Sequence, residues 1–169
     1  MRTPILLVLS LAFISGSLSH FGTQNFLPRE LAASGDVSLP SSYFTLEDIL
    51  TVHFNFEADD SLTAAIIFHS PNQYFALGFG TSMSNADMWI FEISGSTVTA
   101  RDFYSTGKVT PKSDTSRGGS EDLTVLGYEI KSDSTIVKIN RKLNTGDSND
   151  YRISEGKIDM IWATAGSSS

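Results

Sequence analysis

The chain of 169 residues contains no cysteine. A disulfide framework, a thiolate zinc site, an iron–sulfur cluster and a cysteine nucleophile are therefore excluded. Only 18% of the residues are charged, and the formal net charge is −7. Since neutralisation of phosphates supplies most of the affinity for nucleic acids, an acidic chain without a basic run is not expected to bind them, nor to bind an anionic membrane surface.

Familiar catalytic motifs are also missing. No serine lies in a Gly-x-Ser-x-Gly sequence, no Walker sequence occurs, and Gly78-Phe79-Gly80 lacks the third glycine of a dinucleotide-binding loop. The histidines His20, His53 and His69 do not have the i, i+4 spacing of a helical zinc site. We therefore expect a non-enzymatic protein without a metal site.

The N-terminus has the order of features found in secretory signal peptides. Arg2 carries a positive charge, residues 5–14 are almost all apolar, and small residues are concentrated at positions 16–19. This order predicts cleavage after Ser19. Within this predicted signal peptide of residues 1–19, the apolar run at residues 5–14 is too short to span a bilayer comfortably. No later segment could span one either. We therefore expect a secreted protein without a transmembrane segment.

The remainder of the chain has the periodicity of β-strands. Residues 50–56 alternate strictly between apolar and polar side chains, which is typical of a half-buried strand. Further short apolar runs bounded by turn residues predict strands at 62–68, 74–79, 88–93, 97–103, 123–130, 134–141 and 157–163. The pattern predicts an all-β fold, an antiparallel immunoglobulin-like β-sandwich of about eight to nine strands.

The length is that of one domain. We assign residues 20–36 to an N-terminal lead-in segment, residues 37–166 to the sandwich and residues 167–169 to a frayed C-terminus. The one long interruption of the strand pattern, residues 105–122, contains several glycines and is interpreted as an exposed loop.

A series of short motifs follows in a fixed order along residues 74–165. The motifs are Tyr74-Phe75-Ala76-Leu77-Gly78-Phe79-Gly80, Met83, Ala86-Asp87-Met88, Asp102-Phe103-Tyr104-Ser105 with Pro111, Asp114, Glu121 and Asp122, the segment Arg141–Asp150, and Ile161-Trp162-Ala163. Together they resemble the DOMON family, the extracellular β-sandwich domain named for dopamine β-monooxygenase. The resemblance implies ligand binding, because the family comprises haem-binding, sugar-binding and structural members, usually joined to a redox enzyme or a membrane cytochrome.

Two sets of residues are candidates for a site. Those proposed to bind a ligand at one end of the sandwich are Tyr74, Met83, Asp87, Trp89 and Tyr104. The alternative is that the aromatic residues belong to the core and that Asp87 organises the preceding loop through backbone hydrogen bonds.

The second set consists of polar residues to which we assign a structural role. Arg141 ends a strand, and its planar guanidinium could bind the carboxylate of Asp147, Asp150 or Asp102.

A haem cofactor is an alternative that the resemblance raises. In haem-binding members an axial methionine occupies the position of Met83, and the second axial ligand is a histidine beyond the last strand. After Ile161-Trp162-Ala163 the sequence has Thr164-Ala165-Gly166 and three serines, so the expected histidine is missing. We therefore expect no cofactor.

The sequence thus predicts a secreted, non-enzymatic DOMON-like domain that binds a small, sugar-like ligand or a protein partner. One alternative is a haem b electron-transfer module with Met83 as a ligand. The other is a structural subunit of an extracellular assembly or homo-oligomer, in which the Ser/Thr-rich strands of neighbouring copies contact one another.

Overall fold

The computed structural model describes residues 30–46, 48–70, 74–154 and 156–165. Within these ranges the chain forms eleven β-strands and one short 3-10 helix, Asp114–Arg117. The strands are β1 Glu30–Gly35, β2 Ser42–Leu46, β3 Leu50–Phe56, β4 Ser61–Phe68, β5 Tyr74–Phe79, β6 Ser84–Ser94, β7 Thr97–Thr106, β8 Lys112–Ser113, β9 Thr124–Lys131, β10 Thr135–Lys142 and β11 Met160–Ala165. The predicted signal peptide, His20 and the predicted frayed C-terminus lie outside the described residues.

The strands pair into two antiparallel sheets. One has six strands in the order β1-β9-β10-β4-β3-β2, and the other has five in the order β11-β5-β6-β7-β8. The all-β sandwich predicted from the alternation of apolar and polar residues is confirmed. In the described part of the chain, no helix has the length and apolarity needed to cross a membrane.

The two sheets pack face to face through aromatic and branched side chains. Phe68 of β4 lies with its ring centroid 3.8 Å from that of Phe75 in β5 and 5.3 Å from that of Phe91 in β6. All three phenylalanines are fully buried. Because successive side chains of a strand point to opposite faces, this packing assigns one face of every central strand to the core.

Three strands were not predicted, and all three are short or lie at a sheet edge. β1 pairs with β9 inside the segment assigned to the lead-in, β2 pairs with β3, and the two-residue β8 pairs with β7. Edge strands bury few side chains, so they leave a weak alternation in the sequence. β6 begins at Ser84 rather than at the predicted Met88. Its first residues pair irregularly with β7 around Asn85, whose φ is 55°, and the regular pairing follows.

The segment 105–122 is more ordered than the sequence predicts. It contains β8 and the 3-10 helix, and it is not wholly exposed, because Asp114 is 1% exposed. The segment leads from β7 of the five-stranded sheet to β9 of the six-stranded sheet.

Candidate functional site

A pocket of about 300 Å³ lies on the face of the five-stranded sheet that points away from the core. Phe75, Leu77 and Phe79 of β5 belong to the core, so the alternate residues Ala76 and Gly78 face the pocket. These two small residues form its floor.

Side chains on the two neighbouring strands leave little room for a side chain at position 78. It pairs with Met88 of β6 and with Ile161 of β11. A Cβ atom added at Gly78 would lie 2.8 Å from Ile161 Cγ1 and 3.3 Å from Met88 Cγ. Because Gly78 has no side chain, Ile161 and Met88 can approach each other over β5. The floor of the pocket therefore lies close to the backbone of the strand.

The walls of the pocket are formed by the β5–β6 and β7–β8 loops and by residues of strands β5, β6 and β11. The lining residues beyond the floor are Tyr74, Thr81, Ser82, Met83, Met88, Lys108, Pro111, Ile161, Trp162 and Ala163. They combine apolar and aromatic surface with two aliphatic hydroxyls, one phenol and one ammonium group. A pocket of this kind can hold a small molecule that has an apolar face and a rim of hydrogen-bonding groups.

Two of the five predicted ligand-binding residues, Tyr74 and Met83, line this pocket. Asp87 and Trp89 do not, because they alternate with Met88 on β6 and point to the opposite face. Tyr104 pairs with Asp87 across the strands and so shares its face, where the guanidinium of Arg117 lies 5.0 Å from its ring centroid. Trp89 is part of the core and is 3% exposed.

A buried ionic cluster occupies the end of the core below this sheet. Its centre is Arg141 of β10, which is 1% exposed. Arg141 Nη2 lies 3.1 Å from Asp87 Oδ2 and 3.0 Å from Asp150 Oδ2, and Arg141 Nε lies 4.0 Å from Asp102 Oδ2. The guanidinium also donates a hydrogen bond from Nη1 to the carbonyl oxygen of Tyr151, whose own N–H donates to Asp87.

Strand alternation explains why charged groups lie in the core. Asp87 precedes the inward-facing Trp89 and Phe91, Asp102 follows the inward-facing Ala100, and Arg141 follows the inward-facing Ile139. Each of these three polar residues therefore occupies the next core-facing position beyond the apolar ones. It lies towards the end of its strand where the loops begin. The alternation in the sequence indicates that Asp87 and Arg141 both face the core, but it does not indicate that they lie beside each other.

Burial controls the protonation of this cluster. Loss of hydration raises the pKa of Asp87 and of Asp102, and attraction by the Arg141 guanidinium offsets only part of the effect. The neighbouring carboxylates raise the pKa of Asp102 further. Burial also raises the pKa of Asp114, Glu121 and Asp122. The carboxyl groups at this end of the molecule therefore keep their protons to a higher pH than exposed carboxyl groups do.

The structure places the four predicted structural residues close together, but with different partners. Asp102 and Asp150 approach Arg141, as expected from the guanidinium geometry. Asp147 does not reach Arg141 and instead accepts hydrogen bonds from the backbone N–H groups of Ser120 and Asn149. Asp147 therefore organises the loop between β10 and β11.

The comparisons with known proteins agree with this architecture. The model of the DOMON domain matches residues 46–165, which is more than half of the chain, so the chain belongs to the DOMON domain family. The resemblance predicted from the sequence motifs is thus confirmed. No curated protein sequence matches this chain.

The fold is similar to that of the cytochrome domain of Myriococcum thermophilum cellobiose dehydrogenase. The two structures superpose with a TM-score of 0.54 at 14% sequence identity. The match covers 69% of this chain and 61% of that domain. At this level of identity the similarity concerns the fold alone.

In the part of the chain that the structure describes, the pocket lining lacks the imidazole of a Met/His haem site. Among the described residues, Met83 and Met88 supply thioethers to its lining, but no histidine lines it. His53 and His69 belong to the region of the six-stranded sheet, where His53 Nδ1 lies 2.9 Å from the carbonyl oxygen of Pro40 and His69 Nε2 lies 2.9 Å from Thr51 Oγ1. One soft thioether is a weak axial ligand without a stronger partner.

Proposed function

We propose that this chain is a non-enzymatic binding domain whose pocket on the outer face of the five-stranded sheet binds a small, sugar-like ligand. The observation that supports this proposal is the composition of the pocket wall. Tyr74 offers ring surface to the C–H face of a sugar, while Thr81 and Ser82 offer hydroxyl groups at the rim. Lys108 adds an ammonium group that can donate to several ligand oxygens.

The lining residues also support a role in binding rather than catalysis. Among the described residues, the pocket lining contains no carboxylate, imidazole or thiol. General acid–base chemistry most often uses an imidazole or a carboxylate, and a serine or threonine nucleophile is normally activated by an adjacent base of this kind. A pocket of hydroxyls, one phenol ring, one ammonium group and thioethers is better suited to hold a ligand than to transform it.

A glycan array followed by calorimetric titration tests the proposal. Tyr74→Ala removes a wall of the pocket and should weaken binding of any glycan that is captured by at least tenfold, because aromatic contacts dominate small binding sites. Tyr43→Ala is the matched control, since Tyr43 is 66% exposed on β2 of the other sheet. No bound glycan, or equal weakening by both variants, would contradict the proposal and leave a protein partner to be sought by native mass spectrometry.

A haem module is the second candidate, and two observations favour it. Met83 lines the pocket, and the fold is similar to that of a cytochrome domain. The lack of an imidazole in the described lining weighs against it, so we rank it below sugar binding.

We further propose that the protein is secreted, as the order of charge, apolar run and small residues at its N-terminus suggests. Protein recovered from its native source should begin near His20. A native chain that retains Met1 would contradict export by signal-peptide cleavage.

A further inference from the structure

Asp114 is a buried carboxylate without a hydrogen-bond partner. It is 1% exposed, and neither of its carboxylate oxygens has a donor within the described residues. Burial of an ionised carboxylate is strongly unfavourable unless the charge is paired or bound to a metal ion. Either a proton or a bound cation must therefore balance the charge of Asp114.

Two further carboxylates point at the same place. One oxygen from each of Asp114, Asp147 and Asp150 lies within 4.8 Å of the corresponding oxygens of the other two. Oxygens that bind one calcium ion do so at about 2.4 Å, so two of them can be at most about 4.8 Å apart. The three carboxylates therefore have a spacing that one calcium ion can bridge.

The orientation of Asp147 is fixed by the backbone. Its Oδ1 accepts a hydrogen bond from Asn149 N–H at 2.9 Å, and its Oδ2 accepts one from Ser120 N–H at 2.8 Å. Both carboxylate oxygens of Asp147 are therefore held in place by main-chain donors. Each oxygen keeps a second lone pair for a metal ion.

A neighbouring group of aspartates shows how such a cluster is balanced. Asp87, Asp102 and Asp150 also converge within 4.8 Å, and the guanidinium of Arg141 serves as their cation. Among the described residues, neither Asp114 nor Asp147 forms an ion pair with lysine, arginine or histidine. The first group surrounds its positive charge, whereas the second approaches that charge only through the shared Asp150.

We propose that Asp114, Asp147 and Asp150 bind a calcium ion. Hard oxygen donors favour calcium or magnesium over zinc and copper, and an irregular set of loop carboxylates suits calcium better than the strict octahedron of magnesium. The ion would join the β8–β9 connection, which contains Asp114, to the β10–β11 connection, which contains Asp147 and Asp150. This site was not expected from the sequence, since the three residues belong to two separate loops.

The competing explanation is a proton shared between Asp114 and Asp150. A shared proton would remove one charge without any metal ion. The two explanations differ in what Asp114→Asn should do. Loss of a calcium ligand abolishes stabilisation by calcium, whereas loss of a shared proton leaves the protein indifferent to calcium.

Thermal unfolding of EDTA-dialysed protein distinguishes the two. Calcium at 100-fold above its dissociation constant should raise the Tm of the wild type by about 5–10 °C, with a smaller rise from magnesium and none from potassium chloride of equal ionic strength. Asp114→Asn should abolish the rise. Asp48→Asn, which neutralises an exposed aspartate elsewhere, should preserve it.

Terbium luminescence of the wild-type protein gives an independent measurement if Asp114→Asn does not fold. Terbium should bind with sensitised emission, since Tyr151 follows Asp150 directly, and calcium should displace it. No calcium-dependent Tm and no calcium-displaceable emission would overturn the proposal. A calcium response that survives Asp114→Asn would overturn it equally, because the ion would then be bound elsewhere.

Discussion

Arg141 Nη2 lies 3.1 Å from Asp87 Oδ2, and the two side chains are 0% and 2% exposed. Arg141 belongs to the six-stranded sheet and Asp87 to the five-stranded sheet. The ion pair therefore joins the two layers of the sandwich at the end where apolar packing gives way to loops.

Replacing Arg141 by alanine should destabilise the protein strongly. The change would leave Asp87, Asp102 and Asp150 without their cation in a buried site, and loss of one partner of a buried ion pair costs about 3–5 kcal/mol. Urea unfolding of Arg141→Ala measures the free energy of unfolding. Binding at the pocket should be spared in the folded fraction, because Arg141 lies on the core side of the sheet.

Two further variants separate the charge of Arg141 from its shape. Arg141→Lys should also be destabilising, since one ammonium cannot reproduce a planar fork that reaches several carboxylates. Arg152→Ala is the matched control at an exposed arginine and should change stability by less than about 0.5 kcal/mol. If Arg141→Ala were as stable as the wild type, the buried aspartates would not need the guanidinium to balance their charge.

Gly119→Ala should weaken the contact between the two loops at this end. A Cβ atom at residue 119 would lie only 2.2 Å from Asp147 Oδ2. Asp147 would have to leave the N–H group of Ser120, and overpacking of this kind costs about 1–3 kcal/mol. The control is Gly107→Ala, where an added Cβ meets nothing within 4 Å. Chemical denaturation of both variants should show a loss for Gly119→Ala alone.

The ion pair between Asp36 and Lys138 should make stability depend on acid pH. The hydrogen bond from the Lys138 ammonium, with those from Ser38, lowers the pKa of Asp36 from 3.8 to about 2. A carboxylate whose pKa is lower in the folded state stabilises the protein above its unfolded pKa and loses that effect as the pH falls through its folded pKa.

The measurement is the difference in unfolding free energy between the wild type and Asp36→Asn across this range. The difference should be constant above about pH 5 and should shrink progressively as the pH falls to about pH 1. Because both proteins share the carboxylates of the Arg141 cluster, the titration of those groups cancels in the difference. A difference that does not change with pH would show that Asp36 keeps its ordinary pKa.

The purified protein should be colourless. Titration with haem should not give the six-coordinate, low-spin absorption bands of a Met/His site, because the described pocket lining has thioethers but no imidazole. Absorption spectroscopy of the wild type and of Met83→Ala shows whether haem is bound and whether Met83 is its ligand. Low-spin bands that appear in the wild type and vanish in Met83→Ala would establish the haem module in place of the proposed sugar-binding domain.

Local patterns in the sequence were sufficient to predict the fold class. The alternation in residues 50–56 identified β3 and its buried face, since the pleat repeats every two residues. The order of motifs from Tyr74 to Ala165 identified the family, which the domain match confirms. The first inference uses the sequence of a single strand, and the second uses the order of motifs along the chain.

The candidate sites depended on information that no local pattern contains. Arg141 and Asp87 are separated by 54 positions, and their contact depends on which strands face each other across the core. Asp114 lies in a connection without periodicity, so its burial could not be inferred. The pocket likewise depends on how two loops fold over the outer face of β5.

Asp150 belongs to both aspartate groups, because it contacts Arg141 and also faces Asp114 and Asp147. The energetic effects of changes on its two sides should therefore not add. A double variant such as Arg141→Ala with Asp114→Asn should lose a different free energy from the sum of the single losses, because each change alters the charge that the shared carboxylate must balance. Mutational energies at this end of the sandwich are thus properties of one cooperative unit rather than of separate residues.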